Sequence, residues 1–287
     1  MRPDRAEKAN GHWYGVVLLV LLIVAPVVWV LFHSLLQSVS ELSPAGRDIT
    51  LTHWSQAVRT GELWQSVRHT VSVAATSTFL ASVVSLTFVL YRAEERFRRS
   101  SILTLGLLLG TPAVVMSIMV YQVLNPGGYV ARVAHSLGVL TSPEQFPPLV
   151  NDRWSCGILV TQVLVSFPLL TLFFFNAWEA SRIDRFRELA HALGATPAQS
   201  RWHVACPMLW RRGRSLILLT FLFNLGSYEI PLLLGRQSPQ FFSVLTQRHF
   251  GRFDLSDRPI AFVLSVVYFV LASGGLWLML SRRSDRD

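Results

Sequence analysis

The chain has 287 residues, is 51% hydrophobic and only 15% charged, and has a mean hydropathy of +0.41. That balance is rich in apolar residues and poor in charge for a soluble protein. The net charge of +9 rests on arginine, with Lys8 the one lysine, and two cysteines exclude a disulfide scaffold.

The apolar residues fall in long runs, each near the roughly 20 residues that cross a bilayer core as a helix. Residues 13–36 come first, with Pro26 inside them. This run is too long for a signal-peptide core and lacks a clear small-residue cleavage site, so it reads as a first span. The second span, 67–91, is rich in Ser72, Thr76, Ser77, Thr78, Ser82 and Ser85. Small hydroxylated residues serve close helix packing or line a path. Further spans are predicted over 101–124, 157–177, 216–234 and 259–280. The domain plan is a cytoplasmic tail at 1–12, a six-helix transmembrane domain at 13–280 with a cytoplasmic loop at 178–214, and a tail at 281–287.

Arginine placement sets the expected orientation. With both termini inside, the inner segments hold 17 basic residues and the outer segments 9. Four of the outer ones lie between Arg236 and Arg258, where the contrast is weakest; Asp254 and Asp257 soften it little. Clustering of arginine beside apolar runs, with no nucleic-acid motif, argues against a nucleic-acid partner. The loop at 37–66 holds amphipathic pieces around Trp54, Val58 and Leu63. The segment 125–156, with Pro126, Pro143, Pro147 and Pro148, reads as an irregular cap with one short helix near 130–137.

The polar stretch 188–207, ELAHALGATPAQSRWHVACP, reads as helix, glycine break and second helix. Gly194 can adopt the positive φ that ends the first. Thr196 is placed as an N-cap, Pro197 as the first helical residue and Gln199 as the return partner of a capping box. Pro207 marks an end or a break. A stiff helix-turn-helix at a membrane face is a docking element.

Catalytic chemistry finds no constellation. His191 and His203 lack metal-ligand spacing, no nucleophile elbow occurs, and no phosphate-binding loop is present. Ser273-Gly274-Gly275 lies in the sixth span and reads as close helix packing. Cys156 is expected near an outer helix end and Cys206 in the cytoplasmic loop, too far apart to pair. No metal, cofactor or enzymatic activity is expected.

The 188–207 stretch resembles the cytoplasmic loop of permease subunits of bacterial ATP-binding-cassette (ABC) importers, E-A-A, three residues, G, nine residues, I-x-L-P. Glu188, Ala190, Gly194, Val204 and Pro207 fall on that spacing, while Leu189 and Cys206 depart from it. The resemblance implies an all-α integral membrane protein of six transmembrane helices with the type I (MetI-like) importer permease fold. It implies a second permease subunit, identical or homologous, two ATPase subunits, an extracytoplasmic substrate-binding protein, and a place in the bacterial cytoplasmic membrane. Glu188, Ala190, Leu193, Gly194, Ala195, Trp202, Val204 and Pro207 would then couple to the ATPase, with Arg182, Arg185 and Arg187 adding polar contacts.

Polar groups within the spans are candidates for a translocation path: Asn224, Ser227, Tyr228 and Glu229 in the fifth, and Tyr121, Gln122, Gln162 and Asn176 elsewhere. For Tyr121, Gln122, Gln162 and Asn176 the other reading is a bundle-facing hydrogen bond. Gly226 and Pro231 loosen the fifth span, as suits backbone beside a cavity. Glu229 either meets a cationic substrate or gate, or pairs at the outer interface with a residue such as Arg236. The stretch SYEIPLLLG at 227–235, followed by Ser238-Pro239-Gln240, is similar to polyamine-type importer permeases, a group with ferric iron, thiamine and phosphonate relatives. The resemblance implies import of a polyamine-like small cation, with those solutes as alternatives, and the outer arginines equally favour an anion. An autonomous secondary transporter would explain the spans but not the capped helix-turn-helix.

Overall fold

The computed structural model describes residues 5–43, 46–92, 95–142, 145–252 and 258–284, with side chains described over 17–40, 50–92, 101–142, 145–252 and 258–277. Arg2, Pro143, Asp254, Asp257 and Arg286 lie outside the described residues, as do the side chains of Arg5, Lys8, Arg47, Arg96, Arg98, Arg99, Arg282 and Arg283.

Helix α1 (Arg5–Ser38) leads into a hairpin of β1 (Ser40–Ser43) and β2 (Gly46–Ile49), antiparallel with Ser40 opposite Ile49. Then come α2 (Thr52–Arg59), α3 (Glu62–Arg92), α4 (Glu95–Leu109), α5 (Ala113–Leu124), α6 (Tyr129–Ser136), α7 (Cys156–Ala180) and α8 (Ile183–Ala192). The short α9 (Pro197–Gln199) runs through a π-helical turn (Ser200–Ala205) into α10 (Cys206–Leu225). Helices α11 (Glu229–Leu234), α12 (Phe242–Phe250) and α13 (Arg258–Ser284) complete the order. Apart from the hairpin, which falls in the 37–66 loop, the regular structure described is helical.

Among the described residues five helical stretches are long and apolar enough to cross a membrane: Val17–Ser38, Glu62–Arg92, Ala113–Ser136, Cys156–Ala180 and Arg258–Trp277. Two predicted spans are divided. The third breaks at Thr111-Pro112, where a residue before proline is pushed out of helical φ/ψ, leaving α4 and α5. The fifth breaks at Gly226–Tyr228 between α10 and α11. Helix α10 also begins earlier than predicted, so Arg211, Arg212 and Arg214 sit on its first half and keep it outside the set of five. The short helix expected near 130–137 is α6.

The chain divides into two compact units. The first comprises residues 1–63 and 246–271. Here α1 exposes nearly all its apolar side chains from Val17 to Leu36, as a lipid-facing helix does. Trp54 Nε1 donates to Ser38 Oγ at 3.3 Å, and Arg248 pairs with Glu62 at 3.3 Å. In the amphipathic α2 the buried side chains are His53 and Ala57, whereas Val58 faces out.

The second unit comprises residues 64–245 and 272–287. Two apolar clusters fill it, separated by a polar layer at one level of three helices. One cluster holds Ala81, Val89 and Leu90 of α3, Leu170, Phe174 and Trp178 of α7, and Leu209 of α10. The other holds Val73 of α3, Ile158 of α7, and Ile230 and Leu234 of α11. Between them lie Ser77 and Thr78, Gln162 and Ser166, and Asn224, all fully or almost fully buried. Ser77 Oγ donates to Gln162 Oε1 at 2.7 Å, and Gln162 Nε2 donates to the Asn224 carbonyl at 3.1 Å. Asn224 Nδ2 donates to Thr78 Oγ1 at 3.0 Å, and Ser166 Oγ donates to Asn224 Oδ1 at 3.4 Å. In lipid an unsatisfied polar group costs several kcal/mol, on the order given by hydrocarbon transfer, so mutual satisfaction is what lets these residues stand mid-span.

Helices α7 and α10 approach closely at Gly213. A Cβ there would lie 2.5 Å from Cε1 of Phe174, whereas one on Gly274 would meet nothing within 4 Å. Gly213→Leu should therefore cost about 1–3 kcal/mol by overpacking. A thermal-unfolding midpoint measured in detergent should fall for Gly213→Leu and hold for Gly274→Leu.

Candidate functional site

The 188–207 stretch folds as the caps dictate. Helix α8 ends in a Schellman motif: Gly194 N–H donates to the His191 carbonyl and Ala195 N–H to the Ala190 carbonyl, both at 2.9 Å. The motif needs a left-handed residue after the C-cap, and Gly194 takes φ +89°. Ala190 thus contributes its carbonyl to the turn. The His191 ring adds a 2.9 Å bond to the Ala195 carbonyl. The chain then re-enters a helix at once. Gln199 N–H donates to Thr196 Oγ1 at 3.3 Å, and Thr196 N–H donates to Gln199 Oε1 at 2.8 Å, the capping box read from the sequence.

Pro207 behaves otherwise than predicted. It neither ends nor breaks the helix, because the π turn ahead of it widens the ladder. Cys206 N–H reaches back five residues to the Arg201 carbonyl, and Pro207 enters α10 in its first turn, where a missing N–H is tolerated. The capped turn and α10 are therefore one continuous helical stretch, a rod from Pro197 to Leu225. At the helical rise it is roughly 40 Å long.

Large apolar side chains of this element are exposed among polar ones. Leu193 is 89% exposed, Leu189 62% and Trp202 47%. Phe186 joins them, and Glu188 stands exposed beside them. Ala195, Gln199, Ser200, His203 and Val204 line a hollow on this element. On the opposite side Ile183, Ala205 and Leu209 are fully buried in the α7 cluster. Cys206 packs against that cluster, and burial pushes its thiol up, so it serves as a small apolar filler. Both cysteines are free thiols.

Of the arginines flanking this stretch, Arg182 and Arg185 are exposed, whereas Arg187 turns inward. Its Nε donates to Ser200 Oγ at 3.3 Å, and its guanidinium lies 5.5 Å over Trp178. Sequence reasoning grouped it with outward-facing contacts; a basic residue beside other basic residues carries no signal of direction.

The candidates within the spans separate into two groups. Gln162 and Asn224 are sealed inside the polar layer of the second unit, which for Gln162 is the bundle-facing reading. Tyr121, Gln122, Asn176, Tyr228 and Glu229 are exposed, and the Ser227 carbonyl accepts from Ser243 Oγ at 2.6 Å. Glu229 opens α11 just past the break, and among the described residues no ion pair joins it to Arg236. The Nε of Arg236 is buried without a hydrogen-bond partner. Among the described residues no His, Cys, Asp or Glu group could hold a metal ion.

No family model matches the chain. The molybdenum transport system permease protein ModB of Azotobacter vinelandii is 25% identical over 177 residues, 61% of this chain and 74% of that protein. The crystal structure of a bacterial ABC transporter involved in the import of the acidic polysaccharide alginate superposes with a TM-score of 0.76 at 16% identity, covering 97% of this chain and 96% of that one. The chain is thus similar in sequence to a transport-system permease and in fold to a chain of an ABC importer, both of them transport components. The type of relative matches the importer resemblance; the polyamine group is not the one matched.

Loss of the Thr196 hydroxyl removes half of the capping box, worth about 1 kcal/mol. Thr196→Ala should speed hydrogen exchange at the Gln199 amide roughly fivefold, while amides within α7 exchange as before.

Proposed function

We propose that this ABC-importer permease docks residues 188–207 on an ATPase subunit and forms a substrate path with a second permease subunit. The carrying observation is that Leu189, Leu193 and Trp202 stand exposed on either side of a turn fixed by a Schellman motif and a capping box. Rigid backbone with unburied large apolar side chains is the signature of a surface that a partner covers. The functional roles assigned to Glu188, Ala190, Leu193, Gly194, Ala195, Trp202, Val204 and Pro207 follow from that reading. Ala190 and Gly194 shape the turn, Leu193, Ala195, Trp202 and Val204 offer apolar surface, Glu188 offers charge, and Pro207 accompanies the π turn. The basic-residue bias supports a cytoplasmic placement of this loop and of both termini.

In this mechanism two ATPase subunits close on ATP and carry the docking turns with them. The rod from Pro197 to Leu225 moves as a lever, and the path between the two permeases opens outward to a binding protein. Hydrolysis returns it. Tyr121, Gln122, Ser227, Tyr228 and Glu229 are the polar side chains placed to meet solute; Gln162 and Asn224 hold the helices behind them.

The substrate reading favoured here is an oxyanion of the molybdate kind, supported by the likeness to ModB. Arginines on the outer segments and the unpartnered Nε of Arg236 supply attraction of the matching sign. A polyamine-like cation is the second reading, supported by the 227–235 resemblance and the exposed Glu229. Ferric iron, thiamine and phosphonate fall behind both.

In proteoliposomes holding the complex with its binding protein, molybdate should stimulate ATP hydrolysis and spermidine should not. Stimulation by spermidine, lost in Glu229→Gln, would install the cation reading instead. Gly194→Val forces a β-branched residue to positive φ, at a cost of about 1–2 kcal/mol. ATP-driven uptake should drop about fivefold to thirtyfold with unchanged membrane insertion. Uptake driven by an ion gradient without ATP would overturn the importer mechanism.

A further inference from the structure

Helix α8 is joined to its neighbours by two turns. At one end Arg182 sits at φ +49°, and at the other Gly194 sits at φ +89°. Ile183 at its start is buried against α7, and a polar cluster ties the helix down further along. Trp178 Nε1, in the last turn of α7, donates to Asp184 Oδ2 at 3.0 Å. Arg187 lies one turn further along α8, 3.7 Å from Asp184 Oδ1, over the Trp178 ring and bonded to Ser200 Oγ. Trp178 is 1% exposed and Ser200 fully buried. Arg187 thus touches α7, its own helix and the first residue of the π turn. The next residue fastens a third helix: Arg201 lies 4.7 Å over the Tyr91 ring at the end of α3. Its Nε is buried without a hydrogen-bond partner, so the ring face is what holds the guanidinium there.

We infer that Trp178, Asp184, Arg187 and Ser200 form an internal clutch that passes displacement of the docking turn to α7 and α10, with Arg201 on Tyr91 extending the grip to α3. An exposed Asp–Arg pair alone contributes little. The buried ring and hydroxyl are what fix this guanidinium, and a planar fork suits both at once. Arg187 is accordingly a positioning residue behind the docking surface, not a contact on it. The inference rests on the coupling reading of residues 188–207.

The test uses the wild-type chain and Arg187→Gln, Ser200→Ala and Arg187→Lys, each purified with the ATPase subunits it retains from its own membranes. Proteoliposomes are then assayed for moles of molybdate, or of spermidine if that is what the wild type carries, moved per ATP hydrolysed. Arg187→Gln and Ser200→Ala should keep the ATPase bound and hydrolysis within about twofold. Solute moved per ATP should fall about fivefold, the scale of one hydrogen bond. Arg187→Lys, which keeps charge over the ring, should recover part of the ratio. A wild-type ratio in Ser200→Ala and Arg187→Gln overturns the clutch, as does loss of ATPase binding in either, which would make Arg187 or Ser200 a docking contact. A wild-type chain that retains no ATPase removes the coupling reading and the clutch with it, an outcome read from the wild type alone.

Discussion

The architecture of the second unit depends on how a helix passes Pro207. A proline in a regular ladder loses one hydrogen bond and crowds the carbonyl four residues back. Here the preceding turn opens to π spacing, Cys206 N–H bonding the Arg201 carbonyl, and the helical ladder runs on into α10. The consequence is mechanical. The capped turn at Thr196 and the membrane-level Asn224 belong to one rod, and force applied at one end has a stiff route to the other.

At the far end of the rod the bilayer sets the rule. Backbone freed at Gly226–Tyr228 is tolerable only beside protein or water. The polar layer fixes the turn just before it. Asn224 spends its side chain and its carbonyl on α3 and α7, so α10 is anchored where its regular helix stops. Small residues at Ser77 and Thr78 let the three helices come near enough for these bonds. Above and below, apolar clusters of matching level exclude water from the layer. The exposed polar residues Tyr228 and Glu229 follow immediately, where the backbone is no longer regular.

Local chemistry was legible in the sequence; convergence was not. Gly194, Thr196, Pro197 and Gln199 announce their turn because each satisfies a backbone need within a few residues. Gly226 and Pro231 likewise announce a weak point in the fifth span. The π turn left no such mark, since widening a ladder requires no particular residue type. Ser77, Gln162 and Asn224 each stood out as polar within an apolar run, but their meeting depends on helix rotation across 85 and 62 residues of separation. Arg187 was misdirected for the same reason: its partners Trp178 and Ser200 flank it nine and thirteen residues away, and only the fold brings them to one point. The hairpin at 40–49 has no alternating apolar pattern to reveal it.

An ATPase seated over Leu193 is detectable by site-directed cross-linking in native membranes. Leu193→Cys, placed on a chain whose Cys156 and Cys206 are replaced by serine, should cross-link to an ABC ATPase subunit through a short bifunctional thiol reagent. Val115→Cys, on the exposed face of the apolar α5, should not. A Leu193→Cys chain that is fully labelled by soluble thiol reagents yet yields no ATPase adduct would contradict the account.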